Sequence, residues 1–250
     1  MLIYVCTKAQ FLKDVSSGRI VSILEEAFRR KGLLHDNDRE STAWENSLSA
    51  VADVLNTKEL SDDLQIAVEY QIPQTSKRVD LVIAGEDIEG QPHLILVELK
   101  QWTEALETTQ PGIVKAFIGG QIRAVAHPSY QAFSYAKTLE NFNTAIQEHQ
   151  IGLHPCAYLH NYSPSKREQI FSSQYQEVLD AAPVFIKREE TKFGKYLLQW
   201  VQRPPREDIL KIVDQAEICP SKALQDVLGN MLAGAEEFVL LDEQKVAYET

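Results

Sequence analysis

Residues 78–100, RVDLVIAGEDIEGQPHLILVELK, decide the fold. The two apolar runs in this stretch are rich in Val, Ile and Leu, and the link between them consists largely of Gly, Asp, Glu and Pro. This pattern predicts two adjacent antiparallel strands joined by a turn. Because side chains alternate along a strand, Glu98 and Lys100 should share one face at the end of the second strand. Pairing of the two strands can bring Asp80 beside them.

Two carboxylates and a lysine at the ends of neighbouring strands suggest a chemistry. Mg²⁺ takes oxygen ligands, and a bound ion lowers the pKa of a water molecule and neutralises charge on a phosphodiester under attack. Asp80 and Glu98 could hold such an ion, and Lys100 could orient the attacking water or stabilise the transition state. The alternative is a solvated strand end with a surface ion pair, since E-x-K triplets often occur by chance. These three residues leave both interpretations open.

A helix is predicted over residues 128–147, because proline is favourable in the first turn of a helix. Gln131 and Tyr135 are four residues apart, so they share one face of this helix. Such a pair is common and has little meaning alone, but here it follows Asp80 and the E-x-K triplet in order. His127, just before the helix, is expected to cap it or to face solvent, with a phosphate contact or a place beside the metal as the alternatives.

Taken together, these motifs resemble the PD-(D/E)xK nuclease superfamily. Asp80 corresponds to the first acid and the triplet ELK at 98–100 to the ExK motif. QAFSY at 131–135 is similar to the QxxxY motif of the RecB-type branch. In that branch the glutamine and the tyrosine flank the metal site. Gln131 and Tyr135 would therefore support the metal or the nucleic-acid strand.

The resemblance implies both a fold and a metal site. The fold would be α/β, with a restriction-endonuclease-like mixed central sheet flanked by helices. Asp80 and Glu98 would bind Mg²⁺ or Mn²⁺, the carbonyl of Leu99 could add a ligand, and Lys100 would assist the attacking water.

Nucleases of this type often carry one more acid on a helix that precedes the sheet. A helix is predicted here from about Thr42, and Glu45 lies in its first turn, off the apolar stripe, as the best candidate for a further metal ligand. The segment 42–45 also fits a capping box, in which Glu45 would only bond the backbone at the start of the helix. Both interpretations of Glu45 stay open.

Longer stretches extend the resemblance over nearly the whole chain. They are similar to the N-terminal nuclease-like region of bacterial proteins that continue into a Schlafen-type superfamily 1 helicase. The stretches are EYQIPQTSKRVDLVIAG (69–85), VELKQW (97–102), HPSYQAFSYA (127–136) and GLHPCAYLHNY (152–162). The chain contains no GxxxxGK[ST] motif, so an excised domain without its helicase motor is expected. Residues 1–203 would form the nuclease-like domain, and residues 204–250 a helical segment leading to the motor.

The charge of the chain limits its possible partners. A net charge of −11 argues against a broadly basic nucleic-acid surface. A metal-dependent nuclease remains compatible, because its site must be acidic and phosphate contacts can come from a local patch. Lys77 and Arg78, just before Asp80, could contact a phosphate backbone. The strongest predicted contacts are the cations of the most basic stretch, namely Lys187, Arg188, Lys192, Lys195 and Arg203.

The cysteines and the apolar runs indicate the compartment. Three widely spaced cysteines do not form a disulfide framework and suit a reducing compartment. No run approaches about 18 apolar residues, so no membrane segment and a cytoplasmic location are expected. His154, Cys156 and His160 are predicted to be structural, since a zinc site needs four convergent ligands.

The sequence thus predicts a metal-dependent nuclease domain that hydrolyses phosphodiester bonds. Nucleic acid is the expected partner, with DNA favoured over RNA, and the missing C-terminal helicase is the second expected partner. The alternatives are a catalytically silent nucleic-acid-binding or regulatory module of that helicase, and a protein-interaction platform.

Overall fold

The computed structural model describes residues 1–33, 37–73, 75, 77–220 and 225, with only the backbone described for residues 37–40. The strands are β1 (Tyr4–Thr7), β2 (Gln65–Gln71), β3 (Arg78–Glu86), β4 (Pro92–Leu99), β5 (Ala105–Glu107), β6 (Ile113–Ile118), β7 (Gln121–Ala126), β8 (Gly152–Leu159) and β9 (Val184–Ile186). The α-helices are α1 (Lys8–Ser16), α2 (Ile20–Arg30), α3 (Asn37–Leu55), α4 (Pro128–Phe142), α5 (Thr144–Glu148), α6 (Arg167–Ile170), α7 (Gln176–Ala181), α8 (Glu190–Trp200) and α9 (Ile209–Gln215).

Six of these strands form a mixed sheet in the order β1-β2-β3-β4-β8-β9. The pairs β1-β2, β2-β3 and β3-β4 are antiparallel, whereas β8 is parallel to β4 and β9 is parallel to β8. Strands β5, β6 and β7 form a separate antiparallel sheet. The fold is therefore mixed α/β, and the parallel pair β4 and β8 is joined through a crossover that contains the small sheet and α4.

The predicted pair of strands in residues 78–100 is confirmed as β3 and β4. They pair antiparallel from Leu81 with Val97 to Glu86 with Pro92. Between them, the Asp87 carboxylate accepts hydrogen bonds from the backbone N–H groups of Glu89 and Gln91. This is a usual device by which an aspartate fixes a turn.

The sheet is covered by helices on both faces, which produces two apolar cores. Ile95 and Val97 of β4 pack into one core with buried residues of α1, α2, α3 and α8. Leu94 and Leu96 pack into the other core with buried residues of α4, α5 and α9. Burying one such aliphatic side chain contributes about 1.5–3 kcal/mol, so these alternating residues fix the register of the strand.

Two helix boundaries differ from those predicted. Helix α3 begins at Asn37, so Thr42 lies inside the helix, and the capping-box interpretation of residues 42–45 is wrong. The helix predicted over 128–147 is interrupted at Asn143, whose backbone is extended and whose side chain caps α5. The Asn143 side chain also donates to the carbonyl of Val213, a residue 70 positions away.

Residues after position 203, the predicted end of the nuclease-like domain, contribute to one of the two cores that cover the sheet. Ile209, Leu210 and Val213 of α9 are buried in the same core as Leu94 and Leu96. The packing on the sheet therefore continues past Arg203. Beyond residue 220, the helical segment predicted over 204–250 lies outside the described residues, apart from Gln225.

Candidate active site at the ends of strands β3 and β4

Pairing of β3 with β4 brings Asp80 to the E-x-K triplet. The pairing of the two strands ends at Leu81 with Val97, one residue from Asp80 and from Glu98. The Leu99 N–H donates a hydrogen bond of 2.7 Å to Oδ2 of Asp80. Asp80 therefore contacts the backbone of Leu99, which lies between Glu98 and Lys100 at the end of β4.

Glu98 and Lys100 form an ion pair inside the protein. Lys100 Nζ lies 2.6 Å from Glu98 Oε1, and Glu98 is only 3% exposed. The alternative of a solvated surface ion pair is therefore wrong for the carboxylate. A carboxylate this deeply buried keeps its charge only with a compensating cation nearby, and Lys100 supplies one. The Lys100 N–H also donates to the carbonyl of Tyr158, which extends the sheet beyond β4.

Gln131 and Tyr135 lie on the helix that covers this face of the sheet. Helix α4 packs against β4 and β8, and Tyr135 is buried in the same core as Leu94 and Leu96. Alternation along β4 places Glu98 on that face too. The Gln131 side-chain amide donates a 2.8 Å hydrogen bond to the Tyr135 hydroxyl, so the two predicted residues are connected.

Glu45 is exposed on α3, and it is absent from the lining of the cleft beside Asp80. That cleft has a volume of about 330 Å³. It lies between α3, β2, β3 and the end of β4. Its lining residues are Ala43, Trp44, Ser47, Leu48, Val68, Glu69, Lys77, Arg78, Asp80 and Leu99.

Glu69 is an acidic residue of this cleft that the motifs did not reveal. The register of β2 and β3, with Val68 opposite Leu81 and Tyr70 opposite Val79, places Glu69 opposite Asp80. Glu69 is 6% exposed.

Hydrogen bonds and an ion pair hold the Glu69 carboxylate in place. It accepts a 2.7 Å hydrogen bond from the Trp44 indole, and Arg78 lies 3.2 Å from its second oxygen. A charged residue between the apolar residues of a buried strand was the only sequence signal.

The backbone at Glu69 is unusual, with φ of 59°. Positive φ values are uncommon for residues other than glycine and are concentrated at functional sites. The irregularity has a visible effect on the strand. Val68 and Tyr70 would share a face in a regular strand, but they pack into opposite cores.

The oxygen donors at the strand ends suit a hard cation. Among the described residues, no group of three or more His, Cys, Asp and Glu side chains is arranged to hold a metal. Mg²⁺ usually keeps several waters and binds proteins through one or two carboxylates. Asp80 and Leu99 line the cleft beside α3, whereas alternation along β4 places Glu98 on the face covered by α4.

His127 is completely buried and caps α4. Its Nδ1 accepts from the Ser129 N–H at 3.2 Å, and its Nε2 lies 2.9 Å from the carbonyl of Ile170. Because a carbonyl can only accept, Nε2 carries the proton and the ring is neutral. Burial lowers the pKa of His127 to about 4. The capping interpretation is confirmed, and a phosphate contact is excluded by burial.

The remaining predicted cations are divided between paired and exposed positions. Arg78 is paired with Glu69 and lies 5.0 Å from the Phe28 ring centroid, and Lys77 lines the cleft. The cations of the basic stretch are exposed; they are Lys187, Arg188, Lys192, Lys195 and Arg203. Of these, Lys192 also pairs with Glu189 at 2.6 Å.

The structural interpretation of residues 154–160 is confirmed. His154 bonds His93 at 2.9 Å and stacks on Trp200, with ring centroids 3.6 Å apart. Cys156 is buried, and His160 bonds Ser47.

The chain matches none of the protein-family models, curated proteins or solved structures with which it was compared. Within the described residues, no helix has the length and apolar character needed to cross a bilayer.

Proposed function

We propose that this chain is a nuclease domain of the PD-(D/E)xK type, with a restriction-endonuclease-like sheet, which hydrolyses phosphodiester bonds of nucleic acid. The observation that carries the proposal is the hydrogen bond that joins Asp80 to the backbone of the E-x-K triplet at Leu99, next to the ion pair of Glu98 with Lys100. An antiparallel pair of strands continued by a parallel one also supports the proposed fold.

Each residue of the site has a chemical role in this proposal. Mg²⁺ or Mn²⁺ held by Asp80, Glu98 and the Leu99 carbonyl would supply a water of lowered pKa and offset the phosphate charge. The Leu99 N–H fixes the Asp80 carboxylate. Lys100 donates to the attacking water or to a phosphate oxygen, and it offsets the charge of Glu98.

Gln131 and Tyr135 act as positioning residues. Their mutual hydrogen bond fixes the amide and the hydroxyl on the helix that covers the Glu98 face. A fixed donor pair of this kind can orient a strand without a loss of side-chain entropy at the moment of binding. We expect the substrate to be DNA, and a C-terminal helicase is the proposed partner in a longer protein.

A second function is favoured by the state of the Glu98 carboxylate. It is buried and paired with Lys100 at 2.6 Å, so a metal ion would have to share it with an existing partner. A module that binds nucleic acid, or regulates the helicase, without cutting would tolerate this arrangement. The net charge of −11 favours the same alternative.

Cleavage assays separate the two functions. Labelled single-stranded DNA, double-stranded DNA and RNA are incubated with the protein in Mg²⁺, in Mn²⁺ and in EDTA. The nuclease proposal predicts products in either metal and none in EDTA, because without the ion nothing lowers the pKa of the water or offsets the charge of the phosphate. Salt-dependent binding without products in any metal would support the silent module instead.

A further inference from the structure

The small sheet carries an exposed apolar face. Ile118 pairs with Gln121, and Phe117 pairs with Ile122, so β6 and β7 form a hairpin closed by two glycines with φ of 60° and 84°. Phe117 is 66% exposed and Ile122 is 63% exposed. Leu106 of β5, which is 48% exposed, pairs with Lys115 and therefore lies on the same face.

This outer face is unusual within the described part of the chain. The other exposed large hydrophobic side chains there, Val5 and Ile88, lie outside the small sheet. The opposite face of the small sheet is anchored, because Ala105 and Val114 are buried with Leu159 and Ile186. The small sheet is thus held by its buried face, and its outer face exposes one aromatic ring and two aliphatic side chains to solvent.

The charge of residues 108–139, which contain the hairpin, is opposite to that of the whole chain, and Glu107 of β5 is the carboxylate on the small sheet. Residues 108–139 contain no Asp or Glu, and their charged side chains are Lys115, Arg123 and Lys137. The whole chain has a net charge of −11. Residues 108–139 also include α4 up to Leu139, with Gln131 and Tyr135. The sequence from the hairpin to Tyr135 of the proposed site therefore contains no carboxylate side chain.

The hairpin is joined to the proposed site at both of its ends. At one end, Lys100 Nζ lies 5.6 Å from the ring centroid of Trp102, which packs against the core that contains Val114. Phe117 is three residues from Val114 along β6, or about 10 Å in an extended strand. At the other end, β7 leads through His127 directly into α4.

We propose that this face binds an unpaired nucleic-acid strand and guides it to the nuclease site. A base would stack on Phe117 against Ile122, and Lys115 would contact the backbone phosphates. Aromatic rings next to cations bind single strands in this way, because every unpaired base exposes a flat face. A duplex keeps its base faces stacked inside, so it offers the ring little. The inference rests on the proposed function and specifies its substrate as single-stranded.

Binding of fluorescent oligonucleotides in EDTA tests the inference without cleavage. The probes are oligothymidylate, its duplex with oligoadenylate, and oligouridylate as the RNA equivalent. We expect Phe117→Leu, which keeps an apolar side chain but removes the ring, to weaken binding of the single strands about 5-fold to 150-fold, the range for one stacked base. Phe117→Trp should retain the affinity for the single strands. The duplex should bind the parent more weakly than the single strands do, and the substitutions at Phe117 should not change its affinity.

Ile88→Ala is the matched control, because Ile88 is 65% exposed in the turn between β3 and β4. It should bind like the parent. Equal single-strand affinity of the parent and Phe117→Leu, or no single-strand binding by the folded parent, would overturn the inference. So would self-association of the parent that Phe117→Leu abolishes without an effect on oligonucleotide binding. Binding that depends on Phe117, without cleavage in Mg²⁺ or Mn²⁺, would instead sustain the inference and refute the nuclease assignment.

Discussion

At the scale of single residues, Glu69 connects the geometry of the sheet to the cleft. The backbone of Glu69 has a positive φ, and the residues on either side of it, Val68 and Tyr70, face different cores. Trp44 and Arg78 hold its carboxylate from α3 and β3. A side chain that is bonded from two elements fixes their relative position, and this sets the wall of the cleft beside Asp80.

We predict that Glu69→Ala lowers the free energy of unfolding by about 1–3 kcal/mol, because the buried indole N–H of Trp44 loses its acceptor and Arg78 loses its carboxylate. Urea denaturation followed by circular dichroism measures the change. Glu45→Ala, at an exposed position of α3, is the control and should change stability by less than about 0.5 kcal/mol. Equal effects of the two substitutions would contradict this account of Glu69.

His127 should make stability depend on pH. Burial lowers its folded-state pKa to about 4 from an ordinary value of 6.5. Between these values the unfolded chain binds a proton that the folded chain does not, so stability falls as the pH drops from about 6.5 to 4.

His127→Asn removes this titration and keeps a residue that favours the N-cap of α4. We predict a variant that is less stable at pH 7 but whose stability falls by on the order of 2 kcal/mol less than the parent's between pH 7 and pH 5. Urea denaturation at several pH values gives the comparison. Parallel curves for the two proteins would show that folding does not lower the pKa of His127.

At the scale of elements, Asn143 couples three helices. It interrupts the chain between α4 and α5, caps α5, and donates to Val213 of α9 at 2.8 Å. The prediction of a single helix over 128–147 failed because the partner of Asn143 lies 70 residues away. Periodicity in a local window cannot detect such a contact.

Substitution of Asn143 should therefore loosen α9 from the sheet. We expect Asn143→Ala to cost about 2–4 kcal/mol, since it removes a cap and leaves a buried carbonyl without its donor. Asn143→Asp keeps the cap acceptor and loses only the donor, so it should cost less if its charge is accommodated. Hydrogen exchange of α9 provides the readout. Unchanged protection of α9 in Asn143→Ala would mean that the asparagine does not hold this helix.

The strands differ in how much of them the sequence could predict. The pair β3 and β4 was predictable because both its apolar runs and its turn are contiguous in residues 78–100. The pairing of β6 with β7 was not, since Phe117 and Ile122 place large apolar side chains on an exposed face. Strand prediction relies on apolar residues facing a core, and this hairpin departs from that rule.

At the scale of the whole molecule, charge is unevenly distributed in a way that suits a polyanion. The acidic chain contains one long stretch without carboxylates, residues 108–139, and that stretch joins the hairpin to the helix of Gln131 and Tyr135. The net charge alone obscures this pattern. The absence of carboxylates in this stretch therefore makes nucleic-acid binding compatible with the acidic net charge of the chain.

The candidate site was predictable to the extent that it depends on local pairing. The bond between Asp80 and the Leu99 backbone follows from the pairing of two strands joined by a turn, and the bond between Gln131 and Tyr135 follows from helical spacing. Glu69 was not predictable, because its position depends on a backbone irregularity that no residue pattern announces.

The central claim is that the carboxylates at the ends of β3 and β4 carry out metal-dependent cleavage. The most direct test compares single-turnover cleavage by the parent and Asp80→Asn in Mg²⁺ and Mn²⁺. The amide oxygen of asparagine can still accept from the Leu99 N–H, so this variant should fold. Asp63→Asn, at an exposed position, is the matched control.

We predict that Asp80→Asn cleaves at least about 100-fold more slowly than the parent, a barrier increase of about 2.7 kcal/mol. Asp63→Asn should cleave at the parent's rate. Equal rates for the parent and the folded Asp80→Asn protein would contradict the account, because the carboxylate placed at its centre would have no part in the reaction.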